Sequence, residues 1–320
     1  MTRNIRSALL AAGLALTSLS ALADGFPSRP ITMVIPYPPG GTADSVARPL
    51  SVVLAKRLGV PVILDYKAGA GGAIATQYVA KANPDGYTLV MVLAAHAINP
   101  SLYKNLPYDS AKDFTPVSMV ARLPLVLYGN TKFEPKTVPE LIDYAKKNPG
   151  QLSYGSAGSG NTSHLAGELF ASTAGVKMMH VPYKGGGPSV TAAIGGEIPT
   201  VFAGPDSLAM ARSGRLNIIG VTSLERLPLM PEVPAIAETL KGFEVYGWYG
   251  LLAPANTPAA VVDKLNTEIN STLKDVEFTR VVEPLGYMPT GSTPAEFGTF
   301  VQSETKRWGD VVSKAGIKFE

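Results

Sequence analysis

The sequence contains no cysteine among its 320 residues. Disulfide bonds, thiol catalysis and a lipidated N-terminal cysteine are therefore excluded. Histidine is also scarce, with three residues at positions 96, 164 and 180 that lack the paired spacing of a metal site. We therefore expect no metal and no cofactor. A chain of this length buries enough surface to fold without such crosslinks.

The sequence also lacks a strong excess of either charge. It has 28 basic and 25 acidic residues, a formal net charge of +3. Arg3 and Arg6 lie in an N-terminal segment that we expect to be removed, which leaves a charge of +1. Nucleic-acid-binding domains carry a basic stripe, so no nucleic-acid partner is expected.

A long apolar run occurs only near the N-terminus. Residues 8–19 are predominantly apolar, follow the two arginines, and precede Ala21-Leu22-Ala23, which matches the small-x-small cleavage pattern. The run is shorter than the roughly 20 residues that span a bilayer. We predict a signal peptide over residues 1–23 and, in a bacterium, export to the periplasm. An uncleaved anchor or a core helix is the alternative.

Strand-like and helix-like patterns alternate from residue 31 onward. Apolar strands at residues 31–35, 60–65 and 87–93 are each followed by small residues and a helical pattern. Such repeats predict an α/β fold with parallel strands and right-handed crossovers. A second unit of the same kind follows, with strands at residues 152–155, 178–181, 198–202 and 216–221. Helical patterns at residues 257–273 and 293–314 end the chain.

The order of these units predicts two lobes joined by two crossings. The first lobe comprises residues 24–123 and 248–320, and the second lobe residues 124–247. The strand-rich stretches at residues 114–128 and 243–252 are the predicted hinge crossings. Clefts between lobes are favoured ligand sites.

The turn after the first strand is a candidate anion site. Its sequence is Pro-Tyr-Pro-Pro-Gly-Gly-Thr-Ala-Asp at residues 36–44. Glycines allow a ligand close to the main chain, and a helix start offers unpaired N–H groups to an anion. The candidate ligand-binding residues here are Tyr37, Pro39, Gly40, Gly41, Thr42 and Asp44. Asp44 is equally open to a structural role at the helix start.

A second Gly- and Ser-rich turn precedes the helical pattern that starts at residue 162. Its candidate ligand-binding residues are Ser156, Gly158, Ser159, Asn161, Thr162 and His164. We expect this turn to face the first one across the cleft and to hold an elongated anionic ligand. Alternatively, each turn is an ordinary strand–helix connection with capping residues. His96, at a strand end, is a further candidate, and packing roles remain open for both histidines.

The sequence does not match the motif of a nucleophile elbow or of a dinucleotide-binding site. A nucleophile elbow requires Gly-x-Ser-x-Gly, but Ala157 and Tyr154 stand two residues before Ser159 and Ser156. Gly69-Ala-Gly71 begins a dinucleotide fingerprint whose third glycine would fall at Ile74. We therefore predict that the chain is not an enzyme.

The chain closely resembles the Bug family, the solute receptors of tripartite tricarboxylate transporters. The matching motifs extend over essentially the whole chain after the signal peptide, and they include Ile35-Pro-Tyr-Pro-Pro-Gly-Gly-Thr-Ala-Asp44, Gly69-Ala-Gly-Gly72, Asn83-Pro-Asp-Gly-Tyr-Thr-Leu89, His180-Val-Pro-Tyr-Lys-Gly-Gly-Gly-Pro188 and Gly250-Leu-Leu-Ala-Pro-Ala255. The resemblance implies a two-lobed type II periplasmic binding protein, a Venus flytrap in which each lobe is a sheet flanked by helices. It implies that both turns hold a carboxylate, partly through ordered water.

Three positions depart from the family pattern. Ala68 stands where proline is frequent, and Thr200 replaces a common aspartate. Asp206 stands four positions after Phe202 in the sequence, whereas many members carry aspartate directly after that phenylalanine. A carboxylate there could pair with a ligand amine, so Asp206 is a candidate ligand-binding residue and its displacement argues against an amino-acid ligand.

The resemblance favours a monomeric periplasmic receptor that delivers a small organic carboxylate to a two-subunit integral membrane permease. Presentation of the ligand to a membrane sensor is an alternative that the sequence does not separate from transport. A secreted hydrolase is a third possibility, which the missing nucleophile–base pair disfavours.

Overall fold

The computed structural model describes residues 25–315. The predicted signal peptide at residues 1–23 lies outside them. The described strands form two sheets, each flanked by helices, which confirms the predicted α/β class.

The first sheet contains six strands. Their bounds are β1 (Ile31–Ile35), β2 (Val62–Tyr66), β3 (Thr88–Leu93), β4 (Phe114–Pro124), β10 (Tyr246–Pro254) and β11 (Met288–Pro289). They lie in the order β11-β4-β10-β3-β1-β2. β1 pairs in parallel with β2 and β3, whereas β10 is antiparallel to β3 and β4. The carboxyl ends of β1, β2 and β3 therefore share one edge, as the sequence predicts.

The second sheet contains five strands. They are β5 (Val126–Asn130), β6 (Ser153–Ser156), β7 (Met179–Pro182), β8 (Thr200–Ala203) and β9 (Leu216–Val221), in the order β7-β6-β8-β5-β9. β6 pairs in parallel with β7 and β8, and β5 is antiparallel to β8 and β9.

The helices follow the strands in the predicted alternation. Their bounds are α1 (Thr42–Leu58), α2 (Ala73–Ala80), α3 (Ala94–Leu102), α4 (Val138–Lys147), α5 (Thr162–Ala174), α6 (Gly186–Gly195), α7 (Leu208–Arg212), α8 (Ile236–Thr239), α9 (Ala259–Thr272), α10 (Val276–Val282) and α11 (Pro294–Ala315). Helices α7, α8 and α10 were not predicted from the sequence. Asp275 caps α10 by accepting a hydrogen bond from Glu277 N at 2.9 Å.

The chain passes between the sheets at two adjacent places. Only Leu125 separates β4 from β5, and the return runs from β9 to β10. Thr222 joins the two passages: its Oγ1 accepts from Leu125 N at 2.8 Å and donates to Val245 O at 2.6 Å. These hydrogen bonds hold both connecting segments side by side.

One apolar cluster contains residues of both sheets, among them Val34 of β1 and Tyr154 of β6. Helix α11 contributes Trp308 to this cluster and contacts α3, β4 and α5. Its buried Glu304 accepts hydrogen bonds from the indole nitrogens of Trp248 and Trp308, at 3.3 and 2.8 Å. The C-terminal helix therefore packs across both parts of the fold.

Candidate functional site

The first loop, residues 36–41, connects β1 to α1 and leaves the start of α1 without a side-chain cap. Gly40 has a φ of +82°, which glycine adopts without strain. Gly41 is the N-cap residue in an extended conformation, and no side-chain oxygen caps the N–H groups of this helix end. The first N–H groups of a helix have no intrahelical partner. The end of α1 therefore offers them to an anion, with the helix dipole in support.

Asp44 is the third residue of α1, and its carboxylate fixes the first loop through a hydrogen bond to the loop backbone. Its carboxylate accepts hydrogen bonds from Gly40 N at 2.9 Å, Arg48 Nη2 at 2.9 Å and Tyr66 Oη at 2.5 Å. Burial alone would raise the pKa of this carboxyl, but the hydrogen bonds from Tyr66, Gly40 and Arg48 outweigh it and hold the pKa below its usual range. The Gly40 N–H is thus already satisfied, while Gly41 and Thr42 are exposed.

Tyrosine side chains surround the first loop on its buried side. Tyr287 Oη donates to Thr42 O at 3.0 Å. Burial raises the pKa of Tyr37 to about 12, and the neighbouring Tyr249, Tyr103 and Tyr108 act in the same direction. Tyr37 is half-buried, whereas Pro39 is exposed. The tyrosines therefore fix the loop on its buried side, while its other side is exposed to solvent.

His96 lies on α3 beside the first loop and is 4% exposed. It lines a cavity of about 10 Å³, the space of a single water, together with Tyr37, Gly71, Gly72 and other residues. Within residues 25–315 neither ring nitrogen has a hydrogen-bond partner. The ring stacks on Tyr108, at a centroid distance of 6.1 Å. His96 is therefore close to the loop but enclosed.

The buried ring of His96 predicts acid sensitivity. Burial lowers the pKa of His96 to about 4. The unfolded chain, with an ordinary histidine pKa of about 6.5, binds more protons between these values. Stability contributed by the neutral ring is therefore lost as the pH falls from about 6.5 toward 4. We expect His96 alone to lower the free energy of unfolding by about 2 to 3 kcal/mol between pH 7 and pH 4.5.

Urea unfolding of the wild type and of His96→Phe at both pH values measures this contribution. The variant keeps a flat aromatic ring against Tyr108 and should lose less stability on acidification. An equal loss in both proteins would contradict the assignment to His96.

The second loop, residues 157–161, connects β6 to α5 and is held by its own side chains. Asn161 is the N-cap of α5 and accepts from Ser163 N at 3.1 Å. Ser163 Oγ accepts from Ala157 N at 2.9 Å. Gly158 has a φ of +130° and donates its N–H to Ser156 Oγ at 3.1 Å.

A pair of histidines supports the second loop from inside the protein. The rings of His164 and His180 stack at a centroid distance of 3.8 Å. His164 Nδ1 accepts from Gly160 N at 3.1 Å, and His180 Nε2 lies 2.6 Å from Ser156 Oγ. Burial lowers the pKa of His164 to about 3, with His180 acting in the same direction, and burial lowers the pKa of His180 to about 4. Both rings are therefore neutral at pH 7.

The predicted residues of the second loop thus separate into two groups. Ser156 and His164 are buried and hold the loop. Ser159 is exposed and Thr162 is half-buried, and within the described residues no hydrogen bond engages either hydroxyl. Asn161 uses only its Oδ1 in the cap, so within the described residues its Nδ2 remains available for a ligand together with these two hydroxyls. No hydrogen bond among residues 25–315 joins the first loop to the second.

Asp206 follows β8 and lies close enough to the first part of the fold to affect tyrosines there. The residue is exposed, although partial desolvation by neighbouring atoms raises the pKa of its carboxyl. It acts electrostatically on Tyr249 and Tyr287 of the first part. Its neighbour Pro205 packs against Gly286, where an added Cβ would lie 2.5 Å from the proline ring. Asp206 therefore lies near Tyr287, whose hydroxyl donates to Thr42 O.

The sequence interpretation missed four residues that hold these loops: Arg48, Tyr66, His180 and Tyr287. Arg48 stands four residues after Asp44 on the same helix, a spacing that favours ion pairs and could have been noticed. The other three come from distant parts of the chain and carry no local signal.

Sequence comparison decides the family. The model of the "Tripartite tricarboxylate transporter family receptor" matches residues 46–317. The chain belongs to this receptor family. It is similar to BugT of Bordetella pertussis, with 36% identity over 302 residues, covering 93% of both chains. The prediction of a Bug-type receptor is confirmed.

Solved structures agree with this membership. A protein of R. palustris solved with adipate is 34% identical, with a TM-score of 0.82, and the match covers 92% of this chain and 100% of the other. MatC from Rhodopseudomonas palustris with bound malate is 33% identical, with a TM-score of 0.78, covering 90% and 100%. The receptor has the two-lobed fold of periplasmic binding proteins, as predicted.

Membership of this family also confirms that the receptor is not an enzyme. The short Ser156–His180 contact resembles a nucleophile–base pair, but Ser156 is fully buried and its oxygen also binds Gly158 N. Its role is to shape the loop. Within residues 25–315 no cluster of three potential metal ligands occurs, and no helix there is long and apolar enough to cross a membrane.

Proposed function

We propose that this receptor binds a small organic carboxylate in the periplasm, between its two lobes, and delivers it to a two-subunit membrane permease of the tripartite tricarboxylate type. The observation that carries the proposal is the uncapped start of α1, which the first loop exposes. The adipate and malate in the two R. palustris structures support a carboxylate as the ligand class.

The proposed site combines the two loops. The N–H groups at the start of α1 bind one carboxylate, and the free hydroxyls of Ser159 and Thr162 contact the ligand from the second lobe. A hydrogen bond to a charged group contributes about 1.5–3 kcal/mol, and a helix terminus up to about 2 kcal/mol. After the cost of association, about four such bonds reach roughly −8 kcal/mol, which corresponds to micromolar binding.

The proposal includes the lobe boundaries and the export route. Residues 24–123 and 248–320 form the first lobe and residues 124–247 the second, with hinge crossings near residues 114–128 and 243–252. The Thr222 hydrogen bonds to Leu125 and Val245 support a hinge at this place. The receptor acts as a monomer after removal of residues 1–23.

Titration calorimetry with adipate, malate, citrate and acetate tests the proposed ligand class. We expect micromolar binding of at least one dicarboxylate or tricarboxylate. Adipamide, the neutral diamide of adipate, is the matched control and should bind at least a hundredfold more weakly than adipate if adipate is a ligand. Binding of neutral solutes with no binding of any carboxylate would overturn the proposal.

A further inference from the structure

Arg48 and Tyr66 form a hydrogen-bonded triad with Asp44 behind the first loop. Arg48 Nη2 contacts both Asp44 oxygens, at 3.1 and 2.9 Å, and also donates to Tyr66 Oη at 3.2 Å. Tyr66 ends β2, and its hydroxyl donates to Asp44 Oδ1 at 2.5 Å. The triad therefore ties α1 to the neighbouring strand.

The triad controls which N–H groups of the first loop remain free. Asp44 takes the Gly40 N–H, which fixes the loop while the N–H groups of the next residues stay at the open helix end. Asp44 is only 6% exposed, so its position depends on the partners that surround it.

Asp44 also carries a negative charge in the first turn of the helix that would bind the ligand. A second carboxylate at the same helix end is repelled by this charge, and partial burial strengthens the repulsion. Arg48 places a compensating positive charge on Asp44 at hydrogen-bond distance. The ligand would then meet a helix end with little net charge from side chains.

We propose that Arg48 and Tyr66 are positioning residues of the carboxylate site, which act through Asp44 by neutralising its charge and fixing its hold on Gly40. The inference rests on the proposed function, because it concerns the same site. It assigns a binding role to two residues that do not need to touch the ligand.

A double-mutant cycle on Arg48 and Asp44 tests the charge compensation. Arg48→Met should weaken binding of the best carboxylate at least tenfold. Asp44→Asn removes the charge but keeps an oxygen for the Gly40 N–H, so in that background Arg48→Met should weaken binding less than threefold. A purely structural role of Arg48 would give the same loss in both backgrounds and would overturn the inference.

Lys56→Met is the matched control. Lys56 lies on the same helix, and its side chain is 60% exposed, as is that of Arg48. The two variants therefore change the net charge equally, but Lys56 pairs with Glu277 on α10 instead of Asp44. Lys56→Met should change affinity less than twofold. If Arg48→Met has no larger effect than Lys56→Met, the inference is overturned.

Amide hydrogen exchange of Gly40 in the ligand-free protein separates this inference from the proposed function. The amide should be protected in the wild type and in Asp44→Asn, and unprotected in Asp44→Ala. Tyr66→Phe should exchange faster than the wild type. An unprotected Gly40 amide in the wild type would overturn the triad's role. A protected amide in a protein that binds no carboxylate would overturn the proposed function, and with it the role of the triad in binding.

Discussion

Replacing Gly41 by valine is expected to weaken carboxylate binding at least tenfold and to leave the fold intact. Gly41 has φ −88° and ψ −178°, an extended conformation that any residue adopts. A Cβ built there meets only Pro38 O, at 3.6 Å, which is an ordinary contact. The branched side chain would therefore be tolerated, but it would stand beside the N–H groups that the ligand needs.

Titration calorimetry measures the affinity for the carboxylate, and a thermal melt measures the stability of the fold. Gly41→Ala provides a smaller side chain at the same place and should give a smaller loss of affinity, with a melting temperature close to that of the wild type. Gly40→Val is the contrast, because its φ of +82° makes a branched side chain strained and destabilising. Unchanged affinity in Gly41→Val would remove the first loop from the site.

Replacing Gly167 by alanine should lower the free energy of unfolding by about 2–3 kcal/mol, as for other overpacked core positions. A Cβ on Gly167, within α5, would lie 2.1 Å from the Tyr154 ring. That ring is fully buried, and its hydroxyl donates to Glu168 Oε1 at 2.6 Å and lies 3.0 Å from His164 O. The ring cannot move without disturbing the helix that starts after the second loop.

Urea unfolding of Gly167→Ala and Gly195→Ala measures this effect against a matched control. Gly195 ends α6 and has no heavy atom within 4 Å of a built Cβ. Alanine there should be neutral or stabilising by up to about 1 kcal/mol, because it restricts the unfolded chain. Similar stabilities of the two variants would contradict the tight packing of Tyr154 against α5.

Local patterns predicted much of the fold, because buried strands and their glycine-rich ends are visible along the chain. β1 and β9 match the expected residues, and β3 begins one residue later than expected. The sequence predicts that β2 begins at residue 60, but the strand begins at Val62, after Pro61, which lacks the N–H that a strand position uses. α10 was missed because its seven residues are too few for a clear helical period.

The sequence predicts the two loops of the candidate site. It does not predict which N–H groups and hydroxyls in them are free and which already have hydrogen-bond partners. The sequence left Asp44 open to a structural or a ligand-binding role, and its hydrogen bonds to Gly40, Arg48 and Tyr66 become visible only when β2 lies beside α1. Likewise, the stacking of His164 on His180 joins α5 to β7. Such contacts arise from strand order, which local periodicity does not encode.

A crystal structure of the receptor with its best-binding carboxylate tests the central claim most directly. We expect one ligand carboxylate within hydrogen-bond distance of the N–H groups at Gly41 and Thr42, with Ser159 or Thr162 contacting the same ligand from the other lobe. Asp44 should keep its hydrogen bonds to Gly40, Arg48 and Tyr66. A carboxylate bound elsewhere, with the start of α1 occupied only by solvent, would contradict the account.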